Sequence, residues 1–127
     1  MAAVVTVDRL TGILRDTIVG TVRLDGPDLS ARQFAVFLIT YLEPGPHTVR
    51  GLAARLTVSK PAITRSLDRL GELDLARRVT DPADRRSVLV QRTREGSHFL
   101  SAVRALLNEA AKTRALPMTA VAEQRHA

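Results

Sequence analysis

Apolar residues recur at helical spacing in five stretches of this chain and alternate with polar ones in two others. The first stretch carries Leu10, Ile13, Leu14, Ile18 and Val22, with Arg9, Arg15, Asp16 and Arg23 between them. It predicts a helix over about residues 4–22, weakened by the β-branched Val4, Val5, Val7, Ile18, Val19 and Val22. Gly26-Pro27-Asp28 breaks it. Ser30 and Gln33 form a capping box for a second helix, whose stripe is Phe34, Phe37, Leu38, Tyr41 and Leu42. Pro44-Gly45-Pro46 ends this expected central core helix.

Thr48 can cap a short third helix with Leu52, Ala53 and Leu56 facing inward. Thr57-Val58 makes a turn, Ser59 caps a fourth helix, and Pro61 falls in its first turn, where a missing amide hydrogen costs little. Ile63, Leu67 and Leu70 mark the buried side of that helix; Lys60, Thr64, Arg65, Asp68 and Arg69 lie opposite. Its first turn holds no acid, although the helix dipole favours one there, which suits an incoming phosphate. From Arg77 to Thr80 and from Ser87 to Arg92 the period drops to two, predicting strands joined by a polar tip over residues 81–86. Thr93 then caps a long helix with Phe99, Leu100, Val103, Leu106, Leu107 and Ala110 on its apolar face. Pro117 is expected to stop or interrupt it, leaving the tail TAVAEQRHA frayed.

The chain has 127 residues, enough for one core and too few for two, and its 45% hydrophobic and 25% charged content is that of a globular protein. No run of 18 apolar residues exists, so no transmembrane helix and no membrane partner are expected. The start MAAVVTVDRL lacks the basic segment of a signal peptide, and the protein is expected to be cytoplasmic. Without cysteine there is no disulfide, no thiolate nucleophile and no thiol switch.

Charge changes the picture more. Between Arg50 and Arg94 stand eleven basic and five acidic residues, and the rest of the chain is balanced, so this block carries the entire net charge of +6. Seventeen arginines against two lysines could reflect a coding bias alone, but such a bias would not leave the flanks neutral. A polyanion-binding face is the expectation.

The segments LSARQFAVFLITYL, LAARLTVSKPAITRSLDRL and LARRVTDPADRRSVLVQRTREG, in that order, resemble the MarR family of bacterial transcriptional regulators. The most specific part is DPADRRSVLVQRTREG, since the family's wing reads Asp-Pro-x-Asp-Arg-Arg and runs into Thr-x-x-Gly at the final helix. The resemblance covers roughly Leu29 to Ala111. It implies a mainly α fold with a small β-hairpin wing: one domain over residues 1–127, with a winged helix-turn-helix lobe over 29–93 and dimerisation helices from 1–28 and 94–127. It implies that Ser59, Lys60, Pro61, Thr64 and Arg65 face the major groove from the recognition helix. Arg69 on that helix and Arg85 on the wing join the DNA-binding set. Arg86 would reach the minor groove or its phosphates, held by a carboxylate–guanidinium pair with Asp84.

The chain departs from the family at Asp74, where glycine is usual, at Arg92, where an apolar residue is usual, and at Gly71 within the recognition helix. Arg92 would loosen the second wing strand or add a phosphate contact. The family's last helix would have to come from the few residues after Pro117.

The function implied is a homodimeric, sequence-specific regulator of transcription that binds double-stranded DNA, a ligand-responsive repressor. A small effector would sit between the dimerisation helices and the DNA-binding lobe, near Arg32, Phe34, Phe37 and Tyr41, although these aromatics also suit a core. The alternatives are a winged-helix protein-interaction adaptor and a sequence-independent architectural DNA binder. An enzyme, a cofactor and a metal are not expected: His47, His98 and His126 are scattered, and no nucleophile stands with a base. The basic block holds no aromatic residue, which favours duplex over single-strand binding.

Overall fold

Helix boundaries in this chain are set by hydroxyl caps and left-handed turns, as shown by a computed structural model that describes residues 6–126, with side chains described through Thr113. Helix α1 spans Val7–Arg23, where Thr6 accepts the Arg9 amide; Val4 and Val5 of the expected helix lie outside the described residues. Helix α2 spans Ala31–Leu42 and begins in the expected capping box, with both arms formed. Its buried face is Val36, Phe37, Thr40 and Tyr41, whereas Phe34 and Leu38 are half-buried and Leu42 is 55% exposed. The expected stripe is therefore rotated. Thr40 can occupy a core position because its hydroxyl donates to the Val36 carbonyl at 2.8 Å, leaving no buried donor unmet.

A short strand that the pattern did not announce, β1 (His47–Thr48), precedes helix α3 (Val49–Leu56). Two residues are too few to carry a period, and the strand exists only through its pairing with a distant segment. Thr48 ends β1 and also caps α3 by accepting the Gly51 amide at 2.9 Å. Thr57 takes the left-handed conformation (φ 56°), and the Val58 amide returns to the Ala53 carbonyl, making the sharp turn of a helix-turn-helix. Helix α4 (Lys60–Glu72) is capped by Ser59 and buries Ala62, Ile63, Ser66, Leu67 and Leu70. It ends with Asp74 at φ 56°, and the amides of Asp74 and Leu75 return to the carbonyls of Gly71 and Leu70. Aspartate thus fills the left-handed position where glycine is usual in the family.

Strands β2 (Ala76–Asp81) and β3 (Asp84–Arg92) form the wing, and the antiparallel sheet has the order β1-β3-β2. The connection is two residues, Pro82-Ala83, not the six-residue tip expected, because both strands continue into the polar region. Helix α5 (Arg94–His126) starts on Thr93, whose hydroxyl accepts the Gly96 amide at 2.9 Å. Pro117 neither stops nor interrupts it: a proline removes its own amide donor but leaves those of its neighbours, so the tail expected to fray is helical backbone as far as His126. The residues after Pro117, expected to supply the family's last helix, continue α5 instead.

Two compact units result: one built from α1 and the part of α5 beginning at Ser101, the other spanning Leu29–Leu100. In the second unit Phe37, Leu52, Ile63, Leu67 and Leu70 are almost fully buried. The Phe37 ring lies 4.5 Å from that of Tyr41 and 5.3 Å from that of Phe99, centroid to centroid. Tyr41 also ties α2 to the residues just before β2 and α5 by hydrogen bonds, donating to the Leu75 carbonyl at 2.7 Å and accepting the Thr93 amide at 2.9 Å. Gly96 makes this possible, since a Cβ there would stand 1.6 Å from the Tyr41 hydroxyl oxygen. The Thr-x-x-Gly step into α5 is explained by that approach. No helix among the described residues is long and apolar enough to cross a membrane.

Candidate nucleic-acid interface

Because α4 buries Ile63, Leu67 and Leu70, the residues between them are turned outward. Lys60, Pro61 and Arg65 are exposed, and Thr64 is half-buried. Ser59 is exposed, with its hydroxyl oxygen engaged by the Ala62 amide at 3.2 Å. Arg69 is half-buried, and its guanidinium donates to the Glu72 carboxylate at 3.2 Å. Arg65 has no carboxylate partner among the described residues.

On the wing, the ladder jumps from Thr80↔Val88 to Asp81↔Asp84, which leaves Arg85, Arg86 and Ser87 unpaired on the bulged strand. Such a bulge releases side chains from the regular alternation and re-aims them. Arg85 and Arg86 are both exposed. The pair expected between Asp84 and the Arg86 guanidinium is not formed: the Asp84 carboxylate accepts the Arg86 backbone amide at 3.1 Å instead. Asp84 shapes the wing backbone and leaves the Arg86 charge uncommitted. Asp81 acts similarly at the tip, accepting the Ala83 amide at 2.9 Å.

The other arginines of the basic block separate into two groups. Arg55, Arg77 and Arg78 face Glu43, Asp74 and Asp68, and the Arg78–Asp68 pair ties β2 to α4. Arg92 neither loosens the wing nor projects toward a ligand. Its guanidinium donates to the carbonyls of Thr40 and Glu43 at the end of α2 and lies over the Tyr41 ring. Helix ends leave carbonyls without amide partners, and a cation there is favourable. By contrast, Arg50, Lys60, Arg65, Arg85, Arg86 and Arg94 form no ion pair among the described residues.

Three of these meet. A cleft of about 270 Å³ is lined by Thr48, Val49 and Arg50 from the β1–α3 junction, Lys60 and Thr64 from α4, and Asp84 to Val88 of the wing without Arg85. Lys60 and Thr64, expected on the recognition helix, and Arg86, expected on the wing, are thus brought to one cavity. Arg50 was not among the residues expected to bind. Its sequence signal was only membership of the basic block, and nothing in the period of a short helix indicates that its first turn faces the wing. Among the described residues no group of His, Asp and Glu could hold a metal ion. The chemistry available is that of cations and hydroxyls, with the one carboxylate of the lining, Asp84, turned to a backbone amide, and it suits holding an oxyanion.

Of the aromatics expected near an effector pocket, Phe37 and Tyr41 are buried in the core, and the half-buried Phe34 packs at 5.9 Å from Phe99. Arg32 is exposed.

Residues 28–87, from before α2 to the wing, match the MarR family. The chain matches no curated protein. Among solved structures, it is similar to MarR, with 31% identity, a TM-score of 0.62 and coverage of 80% of this chain and 74% of that one. The transcriptional regulator BldR from Sulfolobus solfataricus is 32% identical, with a TM-score of 0.58 over 80% of this chain and 73% of that one. The MepR–DNA complex of S. aureus shares the fold at 16% identity, with a TM-score of 0.66 over 94% and 92% of the two chains. With a helix-turn-helix, a bulged basic wing and this identity over most of two regulators, the chain belongs to the MarR family of winged helix-turn-helix, DNA-binding transcriptional regulators.

Proposed function

We propose that this protein binds a specific double-stranded DNA site as a homodimer and regulates transcription as a ligand-responsive repressor. The observation that carries the DNA reading is the set of uncompensated cations, Lys60 and Arg65 on α4 with Arg85 and Arg86 on the wing. Leaving them unpaired beside arginines that are paired makes sense if phosphates and base edges complete them. In this reading α4 enters the major groove, with Ser59, Lys60, Pro61, Thr64 and Arg65 on the face of the helix turned toward the groove. Arg86 reaches the adjacent minor groove or its phosphates, where arginine suits the negative potential. The S. aureus MepR complex with DNA, which shares the fold, supports the same partner.

Dimerisation is supported by α1, which exposes Leu10, Leu14, Ile18 and Val22 at spacings of four along one face. Val22 is 71% and Leu14 60% exposed, and an apolar stripe of this length is unfavourable in water unless covered. A two-fold dimer would place two copies of α4 about one helical turn of DNA apart and so require a pseudo-palindromic site. For an effector, the α1–α5 cleft of about 400 Å³ offers Val19 and Leu106 with charges of both signs, Arg15 paired to Asp16 at 3.0 Å, and Arg23 and Glu109. A small molecule bound there would alter the packing of the two helices that carry the dimer, and with it the spacing of the recognition helices.

Fluorescence anisotropy with duplex from the gene's own upstream region and with random duplex, at about physiological salt, tests the DNA reading. Preference for the upstream duplex by roughly a thousandfold is the expected result. Equal and salt-steep binding to both would replace it with an architectural DNA binder, and no binding to either with a protein-interaction adaptor.

A further inference from the structure

The cleft between α3, α4 and the wing gathers positive charge from three separate elements into about 270 Å³. Arg50, Lys60 and Arg86 line it, and none has a carboxylate partner among the described residues. The one acid in the lining, Asp84, directs a carboxylate oxygen to the Arg86 amide and so into the wing's own backbone. Thr64 and Ser87 add hydroxyl donors to the walls. Three like charges around one cavity repel each other, and an anion entering it relieves that repulsion.

Geometry identifies which anion. If α4 lies in a major groove and the wing in the neighbouring minor groove, the sugar–phosphate strand that separates those grooves must pass between them. The cleft lies between those two elements, with Lys60 and Thr64 on the α4 side and Arg86 to Val88 on the wing side. We infer that Arg50, Lys60 and Arg86 together hold one backbone phosphodiester of the bound duplex in this cleft, with Arg50 as a positioning residue that reads no base. This rests on the duplex binding proposed above. Arg50 supplies the third side of the grip: placed in the first turn of α3, it closes the cleft from outside the recognition helix and the wing. Lys60 is accordingly a phosphate contact, and base readout from α4 falls chiefly on Arg65, which does not line the cleft.

The test compares wild type, Arg50→Gln and Arg50→Lys on the upstream duplex and on random duplex across a salt series. Circular dichroism verifies that each variant is folded; Arg50 is exposed and makes no side-chain hydrogen bond among the described residues, so folding is not at stake. Arg50→Gln is expected to weaken binding to both duplexes equally, by roughly three- to tenfold. It should also lower the slope of log affinity against log salt by about 0.9, the share of one phosphate. Arg50→Lys, which keeps the charge, should retain the slope. Duplexes carrying a neutral methylphosphonate at single positions then locate the phosphate: at one position the loss from Arg50→Gln should disappear. An unchanged slope in Arg50→Gln, a loss confined to the upstream duplex, or a loss that no methylphosphonate abolishes would overturn the assignment while leaving duplex binding intact. Failure of the wild type to bind any duplex would overturn the DNA reading and this inference together.

Discussion

Arg65 projects from the exposed side of α4 with no carboxylate partner among the described residues, whereas Arg69, one turn later, donates to Glu72. The two should therefore behave differently. Arg65→Ala is expected to weaken binding to the specific duplex by roughly 1–3 kcal/mol and to change random-duplex affinity far less, as anisotropy titrations would show. An equal loss on both duplexes would make Arg65 a phosphate contact. Arg92 illustrates the converse. By sequence it belongs to the same basic block, yet its guanidinium serves the carbonyls at the end of α2 and so belongs to the fold. At Gly96 the constraint is space. Because a Cβ would collide with the Tyr41 hydroxyl and approach the Leu75 carbonyl to 2.5 Å, Gly96→Ala should cost about 1–3 kcal/mol or more, measured by urea denaturation. Little change in the midpoint would mean that the start of α5 can retreat from Tyr41.

At the scale of elements, the recognition helix is well capped at both ends and weakened within. Ser59 meets its first turn, and the left-handed Asp74 closes its last. Gly71 lies between, in a helical position where an added Cβ would meet nothing closer than the Ala76 carbonyl at 3.9 Å. Gly71→Ala should accordingly raise stability by about 0.5–1 kcal/mol, visible as an increase in Tm, without altering duplex binding. Four of the helices were legible because each carries its own start signal, with Thr48, Ser59 and Thr93 all reaching an amide in the following turn and Ser30 completing a capping box. Strand β1 and the tight Pro82-Ala83 connection were not legible. The former is two residues long, and the latter depends on a register jump that only the paired strand reveals. The rotated face of α2 has a similar origin: a buried threonine reads as polar until its hydroxyl is seen to satisfy Val36.

For the whole molecule, the exposed stripe on α1 sets the expected assembly. Replacing Leu14 and Ile18 together by glutamate should convert a dimer to a monomer in sedimentation, and lower duplex affinity by the loss of the second half-site. A dimer that survives this change would mean that the α1 stripe is not its interface. The net charge of the Arg50–Arg94 block was fixed by sequence, as were the helix order, the wing and the identity of most residues on the candidate DNA face, because periodicity, caps and charge are local properties. Which charges are free is not local. Arg78 is neutralised by Asp68 from α4 and Arg92 is bound by α2, while Asp84 takes a backbone amide and leaves Arg86 uncommitted. Only the folding of α3, α4 and β3 onto one another brings Arg50 to the same cleft as Lys60 and Arg86. Sequence alone determined how much positive charge this protein presents and on which elements; tertiary structure decided where that charge remains uncompensated, since pairing depends on distances between residues far apart in the chain.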